Sequence, residues 1–130
     1  MTAFAVKNLT VKTLPELPWQ KIKNKILFSR YDLSLVFTGD KEMTRINRRY
    51  RRKNGPTNVL AFALGKNSGE IFIDLPFVRR EAKKSARTQR SHVLLVYIHA
   101  LLHLKGFKHD TPKQLKIMNQ AEQKWLKILS

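Results

Sequence analysis

The amino-acid sequence predicts an α+β (mixed α/β) fold: one mixed sheet of about four strands packed with four or five helices. Three observations predict it. A length of 130 residues suits one hydrophobic core and not two. The apolar pattern switches repeatedly between a period of 2 and a period of 3.6, so strands and helices interleave. No internal repeat, linker or low-complexity tract interrupts the chain, so residues 1–130 read as a single domain.

Each element has its own signal. Residues 2–7 read as a first strand. Trp19, Ile22 and Ile26 follow at helical spacing, with Pro15 and Pro18 as punctuation before them. Leu33, Leu35 and Phe37 alternate with Ser34, Val36 and Thr38, the period of a half-buried strand. Asp40 is placed to cap a second helix with Met43, Ile46 and Tyr50 on its apolar side, and Asn54-Gly-Pro-Thr57 ends it. Val59 to Leu64 is nearly continuous in apolar residues and predicts an interior strand. A turn at Lys66-Asn-Ser-Gly69 leads into Glu70-Ile-Phe-Ile-Asp74, with Ile71 and Ile73 on one face and Glu70, Phe72 and Asp74 on the other. A basic helix spans about Pro76 to Arg87, followed by an apolar one. Thr111-Pro-Lys-Gln114 has the form of a capping box with Pro at the first helical position. It opens a last helix carrying Leu115, Met118, Trp125 and Ile128.

Composition narrows the partners. Hydrophobic residues make up 42% of the chain, with two Trp and seven Phe, which indicates a folded protein. Cysteine is absent, excluding disulfides, thiolate ligands and a cysteine nucleophile. No window approaches the roughly 18 apolar residues of a membrane span, and the first residues are too short an apolar run for a secretory signal. The expectation is a cytoplasmic protein with no membrane partner. Twenty-six Lys and Arg against nine Asp and Glu give a net charge of +17. That excess favours a polyanion, because neutralised phosphates release counterions.

The chemistry is concentrated in Tyr97-Ile-His-Ala-Leu-Leu-His-Leu-Lys-Gly-Phe-Lys-His-Asp110. His99 and His103 are four apart in an apolar stretch, which puts both rings on one helix face. Gly106 supplies the left-handed conformation that stops the helix, and the chain then doubles back to bring His109 toward the pair. Three neutral imidazoles with an open fourth position form the donor set of a catalytic zinc site. Nickel, copper or cobalt would accept similar ligands. The alternative is a buried, hydrogen-bonded histidine cluster. His92 is two turns earlier, about 10 Å along the axis, and reads as a surface or supporting residue.

What is missing matters too. Position 100 is Ala, so the Glu that serves as base in the HExxH signature is lacking. The nine carboxylates form no dense cluster, which argues against a two-metal site and leaves a single-metal hydrolase. Glu70 and Asp110 are candidates to orient the imidazoles, although a solvated strand residue and a helix cap explain them equally well. The run Arg45-Ile-Asn-Arg-Arg-Tyr-Arg-Arg-Lys53 packs six cations into nine residues. Its Arg48, Arg49, Arg52 and Lys53 are candidate RNA phosphate contacts, against the alternative of a basic last helical turn. Tyr50 and Phe107 are candidates for base stacking or for core packing.

These residues together resemble the YbeY family of bacterial rRNA-maturation endoribonucleases, whose zinc-binding motif is HGxLHLxGYDH. His99-Ala-Leu-Leu-His-Leu-Lys-Gly-Phe-Lys-His109 keeps the three histidines, the Leu102-His-Leu core, the Gly and an aromatic at their spacing. Asn47-Arg-Arg-Tyr-Arg51, Thr57-Asn-Val-Leu-Ala-Phe62 and Gly69-Glu-Ile-Phe-Ile73 resemble the family's Asn-x-x-Tyr-Arg block and its two strand motifs, in the same order. Departures are Ala100 for Gly, Lys108 for the Asp before the third His, Ala61 for Ser and Glu70 for Asp.

The resemblance implies that His99, His103 and His109 bind one zinc ion and that Arg51 is the functionally important arginine beside it. It implies a zinc-dependent single-strand endoribonuclease acting on ribosomal RNA, notably the 3′ end of the small-subunit RNA, with the small ribosomal subunit or its assembly factors as partners. A second expectation is a non-catalytic, metal-stabilised RNA-binding ribosome-assembly factor. A metalloprotease is disfavoured by Ala100 and by the basicity.

Overall fold

The computed structural model describes residues 3–130. The elements run β1 (Phe4–Asn8), α1 (Trp19–Ile26), β2 (Asp32–Thr38), α2 (Asp40–Arg51), β3 (Val59–Gly65), β4 (Ser68–Asp74), α3 (Leu75–Lys84), α4 (Gln89–Lys105) and α5 (Pro112–Leu129). The four strands form one sheet in the order β1-β2-β4-β3. β1 and β4 flank β2 in parallel, and β3 pairs antiparallel with β4. This is the α+β architecture expected, with five helices on one mixed sheet. The first strand begins at Phe4 and extends to Asn8; position 2 of the expected strand lies outside the described residues.

Strand alternation divides the sheet into two unequal faces. Leu33, Leu35, Phe37, Ile71 and Ile73 are fully or nearly fully buried on one face, where α1 and α4 cover them and α5 packs in turn on α4. The opposite face carries a smaller cluster in which Met43 and Ile46 of α2 meet Leu60, Phe62 and Phe72. Apolar residues surround α4 on all sides because it is the central helix, with nine buried residues between His92 and Leu102. Its start is fixed by Thr88, whose Oγ1 accepts from the Ser91 amide at 3.1 Å. Trp19 packs edge-on against Tyr97 at 5.2 Å, and the Tyr97 hydroxyl donates to the Trp19 carbonyl, locking α1 onto α4.

Several local expectations are corrected. Gly39, not Asp40, is the cap of α2; Asp40 opens the helix and gives its carboxylate to Arg80 of α3 at 2.9 and 3.0 Å. Tyr50 is 60% exposed rather than on the apolar side. β3 lies at the sheet edge and not in its interior. Its continuous apolar run reflects coverage of both its faces, by α4 and by α2, a property that an open lateral edge does not alter. The basic helix ends at Lys84, three residues short, where Ser85 closes it and Ala86 turns to φ +55°. The capping box at Thr111 and Gln114 forms as expected. No helix among the described residues is long and apolar enough to cross a membrane.

Candidate functional site

The three histidines come together because of how α4 ends. Gly106 adopts φ +116°, and two bonds close the turn: its amide to the His103 carbonyl at 3.1 Å, and the Phe107 amide to the Leu102 carbonyl at 3.0 Å. The chain reverses there, and the Thr111 capping box starts α5 in the new direction. His109 thereby lies with its ring centroid 5.7 Å from that of His99 and 6.4 Å from that of His103, at interplanar angles of 27° and 33°.

The rings line a cleft of about 500 Å³ beside the β3 edge. α4 contributes His99, Ala100 and His103, the turn after it Lys108, His109 and Asp110, and β3 the segment Val59 to Ala61. The remaining wall is the end of α2 with the loop after it, including Asn47, Arg51, Lys53 and Thr57. Asn47 is buried and donates from Nδ2 to the Gly55 carbonyl at 3.0 Å, tying that loop to the helix carrying Arg51. Three cations, Arg51, Lys53 and Lys108, thus share the cleft lining with the three imidazoles, and among the described residues Asp110 is the only carboxylate on its wall. His103 is held below its ordinary pKa by loss of water around the ring, then by the positive charge of Arg51 and the neighbouring His99 and His109, with Asp110 opposing.

In chemical type, three imidazoles are donors that a zinc ion accepts. Zn–N bonds of about 2.1 Å in a tetrahedron place imidazole centroids roughly 5 Å apart, so the observed spacings are wider by only roughly 1 Å. Among the described residues, no set of three or more His, Asp or Glu side chains is already drawn in to ligand distance.

The other expected site residues divide. Lys53 shares the cleft, whereas Arg48 lines a separate groove with Lys41 and Arg45, and Arg49 stacks over the exposed Tyr50 ring at 5.5 Å. Arg52 sits at the helix end with φ +54°, outside the cleft lining. Glu70 does not support the histidines: it shares its sheet face with Ser34 and Phe62, and α4 packs on the other. Asp110 is on the cleft wall, and its amide donates to the Gln114 side chain, but its carboxylate has no hydrogen bond to a histidine among the described residues. The partner that sequence reasoning missed is Glu122 of α5, whose Oε2 is 2.5 Å from His99 Nδ1. His92 is buried, with Nε2 3.2 Å from Glu81, which also accepts from Asn58, so it belongs to the packing between α3 and α4. Phe107 packs against the core, while Tyr50 meets Phe62 at 5.5 Å and stays largely in solvent.

Fold and site define a class: a small α+β domain with a cationic cleft built around three imidazoles on a helix and the turn behind it. Residues 3–130 match the family model described as Endoribonuclease YbeY. The chain is 36% identical over 108 residues to Endoribonuclease YbeY of Bartonella henselae, covering 76% of this chain and 68% of that one. It is 29% identical over 126 residues to the protein of that name from Sulfurihydrogenibium, covering 91% and 82%. The solution structure of TM1509 from Thermotoga maritima is similar at 26% identity and a TM-score of 0.62, covering 85% of this chain and 75% of that one. The chain belongs to the Endoribonuclease YbeY family.

Proposed function

We propose that this chain is a metal-dependent hydrolase, a single-strand endoribonuclease of ribosomal RNA that acts in maturation of the small-subunit 3′ end. His99, His103 and His109 would hold one zinc ion. The observation that carries the reading is the cleft itself, lined together by three imidazoles and by Arg51, Lys53 and Lys108 in a chain of this family. When bound, zinc would lower the pKa of a coordinated water and polarise a phosphate oxygen. The protein's own contribution is charge and position. Arg51 offers a planar fork of N–H donors suited to two oxygens of one phosphate and to the charge that develops there. Lys53 and Lys108 extend the positive wall for neighbouring phosphates, and the exposed cleft mouth suits an unpaired strand.

The test compares purified wild type, His103→Ala and Arg51→Ala on the same RNA, with metal analysis of protein prepared without chelator. Zinc and cleavage should be lost together in His103→Ala, and cleavage alone in Arg51→Ala, with the fold retained in both. Cleavage at the wild-type rate by the metal-free variant overturns the mechanism. One observation favours a second reading, an RNA-binding ribosome-assembly factor without catalysis: the only carboxylate on the cleft wall, Asp110, is exposed and makes no bond to the histidines. Equal residual cleavage by all three proteins would favour that reading.

A further inference from the structure

We propose that Glu122 is a positioning residue that fixes His99 with Nε2 turned toward the cleft, so that the last helix is part of the site. The inference deepens the zinc reading above and rests on it for its consequence, metal affinity. Glu122 sits among Met118, Ala121, Trp125 and Leu126, the residues by which α5 packs onto the core. Its side chain is 12% exposed. A carboxylate in the apolar stripe of a helix loses water and is retained only where a partner repays that loss. His99 is the partner, with Nδ1 2.5 Å from Glu122 Oε2.

The chemistry of the pair sets the orientation. An ionised carboxylate accepts hydrogen bonds and donates none, so His99 Nδ1 must carry the proton. In the neutral ring that a metal requires, Nε2 then keeps the free lone pair, on the side of the imidazole away from Glu122. This is the arrangement by which a carboxylate fixes tautomer and ring orientation of a metal-binding histidine. The elements pull together: α4 carries the ligand, its terminal turn returns the chain, and α5 brings back the group that aims the ligand. A contact that merely fastened α5 to α4 would contribute to stability and leave tautomer and metal affinity untouched.

The experiment has two readouts on wild type, Glu122→Ala and Glu122→Gln. In metal-free protein, long-range 15N–1H NMR of the imidazoles should show His99 protonated at Nδ1 in wild type, with that preference lost in Glu122→Ala. Competition with a chromophoric zinc chelator should show zinc binding weakened roughly 10- to 100-fold in Glu122→Ala. Glu122→Gln should fall between, because its amide oxygen still accepts from Nδ1. An Nε2-protonated His99 in the wild type overturns the proposal, and so does unchanged zinc affinity in a folded Glu122→Ala protein. A wild type that shows the Nδ1 tautomer and its dependence on Glu122 but takes up no zinc overturns the zinc reading and supports the orienting contact.

Discussion

Replacing Asp74 with Asn isolates the titration of a buried carboxyl beside a second one, Asp40. Asp74 is fully buried at the end of β4, opposite Thr38 in the sheet register, and its Oδ1 caps α3 by accepting from the Phe77 amide at 3.2 Å. Burial first, then the neighbouring Asp40 carboxyl, pushes its pKa up to about 7, while the Phe77 amide and the charge of Arg80 oppose the rise. Asp40 moves the other way, held below the usual carboxylate range chiefly by Arg80. Of the two carboxyls, Asp74 is therefore the one that holds a proton more readily. In the unfolded chain this carboxyl titrates near about 3.9. Its folded value is raised, so its contribution to stability is fully present below about 3.9 and is lost as pH rises through about 7. At about 1.4 kcal/mol per pH unit, the loss between about pH 5 and pH 8 is roughly 2–3 kcal/mol. The contribution of Asp40 has the opposite sign and falls away only at more acidic pH. Asp74→Asn keeps a cap acceptor and replaces the carboxyl proton with an amide N–H, removing the titration. Denaturant unfolding of both proteins across this pH range is the assay, and the histidine titrations cancel in the difference. The variant should gain on the wild type by roughly 2–3 kcal/mol from about pH 5 to 8. Stability curves that stay parallel would refute the reasoning.

Two further perturbations probe the supports of the fold and the cleft. Gly106→Ala forces a Cβ onto a residue at φ +116° and should cost about 1–2 kcal/mol in thermal unfolding, with zinc affinity reduced as the turn returning His109 loosens. An unchanged zinc titration would show that the turn does not set the cluster. Lys23 is fully buried, with Nζ donating to the carbonyls of Phe28, Ser29 and Tyr31 at 3.3, 3.1 and 2.8 Å. Lys23→Met preserves the stem and strips those carbonyls of their donor, so urea unfolding should show a loss of about 3 kcal/mol. Equal or greater stability would mean that removing a buried charge outweighs the bonds.

Much of the fold was legible because its signals are local. Alternation placed β2 and β4, the capping box placed α5, and Gly106 announced the end of α4, since each depends on residues within a turn or two. The misreadings share a cause. Asp40 had the chemistry of a cap, but Arg80, forty residues away, claims its carboxylate. Glu70 stood near the right motif, but its strand turns it to the face opposite α4. Glu122 carried a signal of its own, an acidic residue four after Met118 and three before Trp125 in the stripe of the last helix. Nothing local could say which histidine that stripe would meet.

The sequence by itself determined the spacing of the histidines and the charge. Histidines four apart share a helix face in any fold, a glycine past the second allows the chain to return, and a charge of +17 follows from composition alone. Tertiary structure decided which groups serve the cleft. It brought Arg51 and Lys53 to the imidazoles while turning Arg48, Arg49 and Arg52 elsewhere, placed Lys108 on the wall, and set Glu122 behind His99. The physical reason is that helix and turn signals act through neighbouring backbone groups, whereas the cleft forms from segments some fifty residues apart, brought together only when α2, α4 and α5 pack about the sheet.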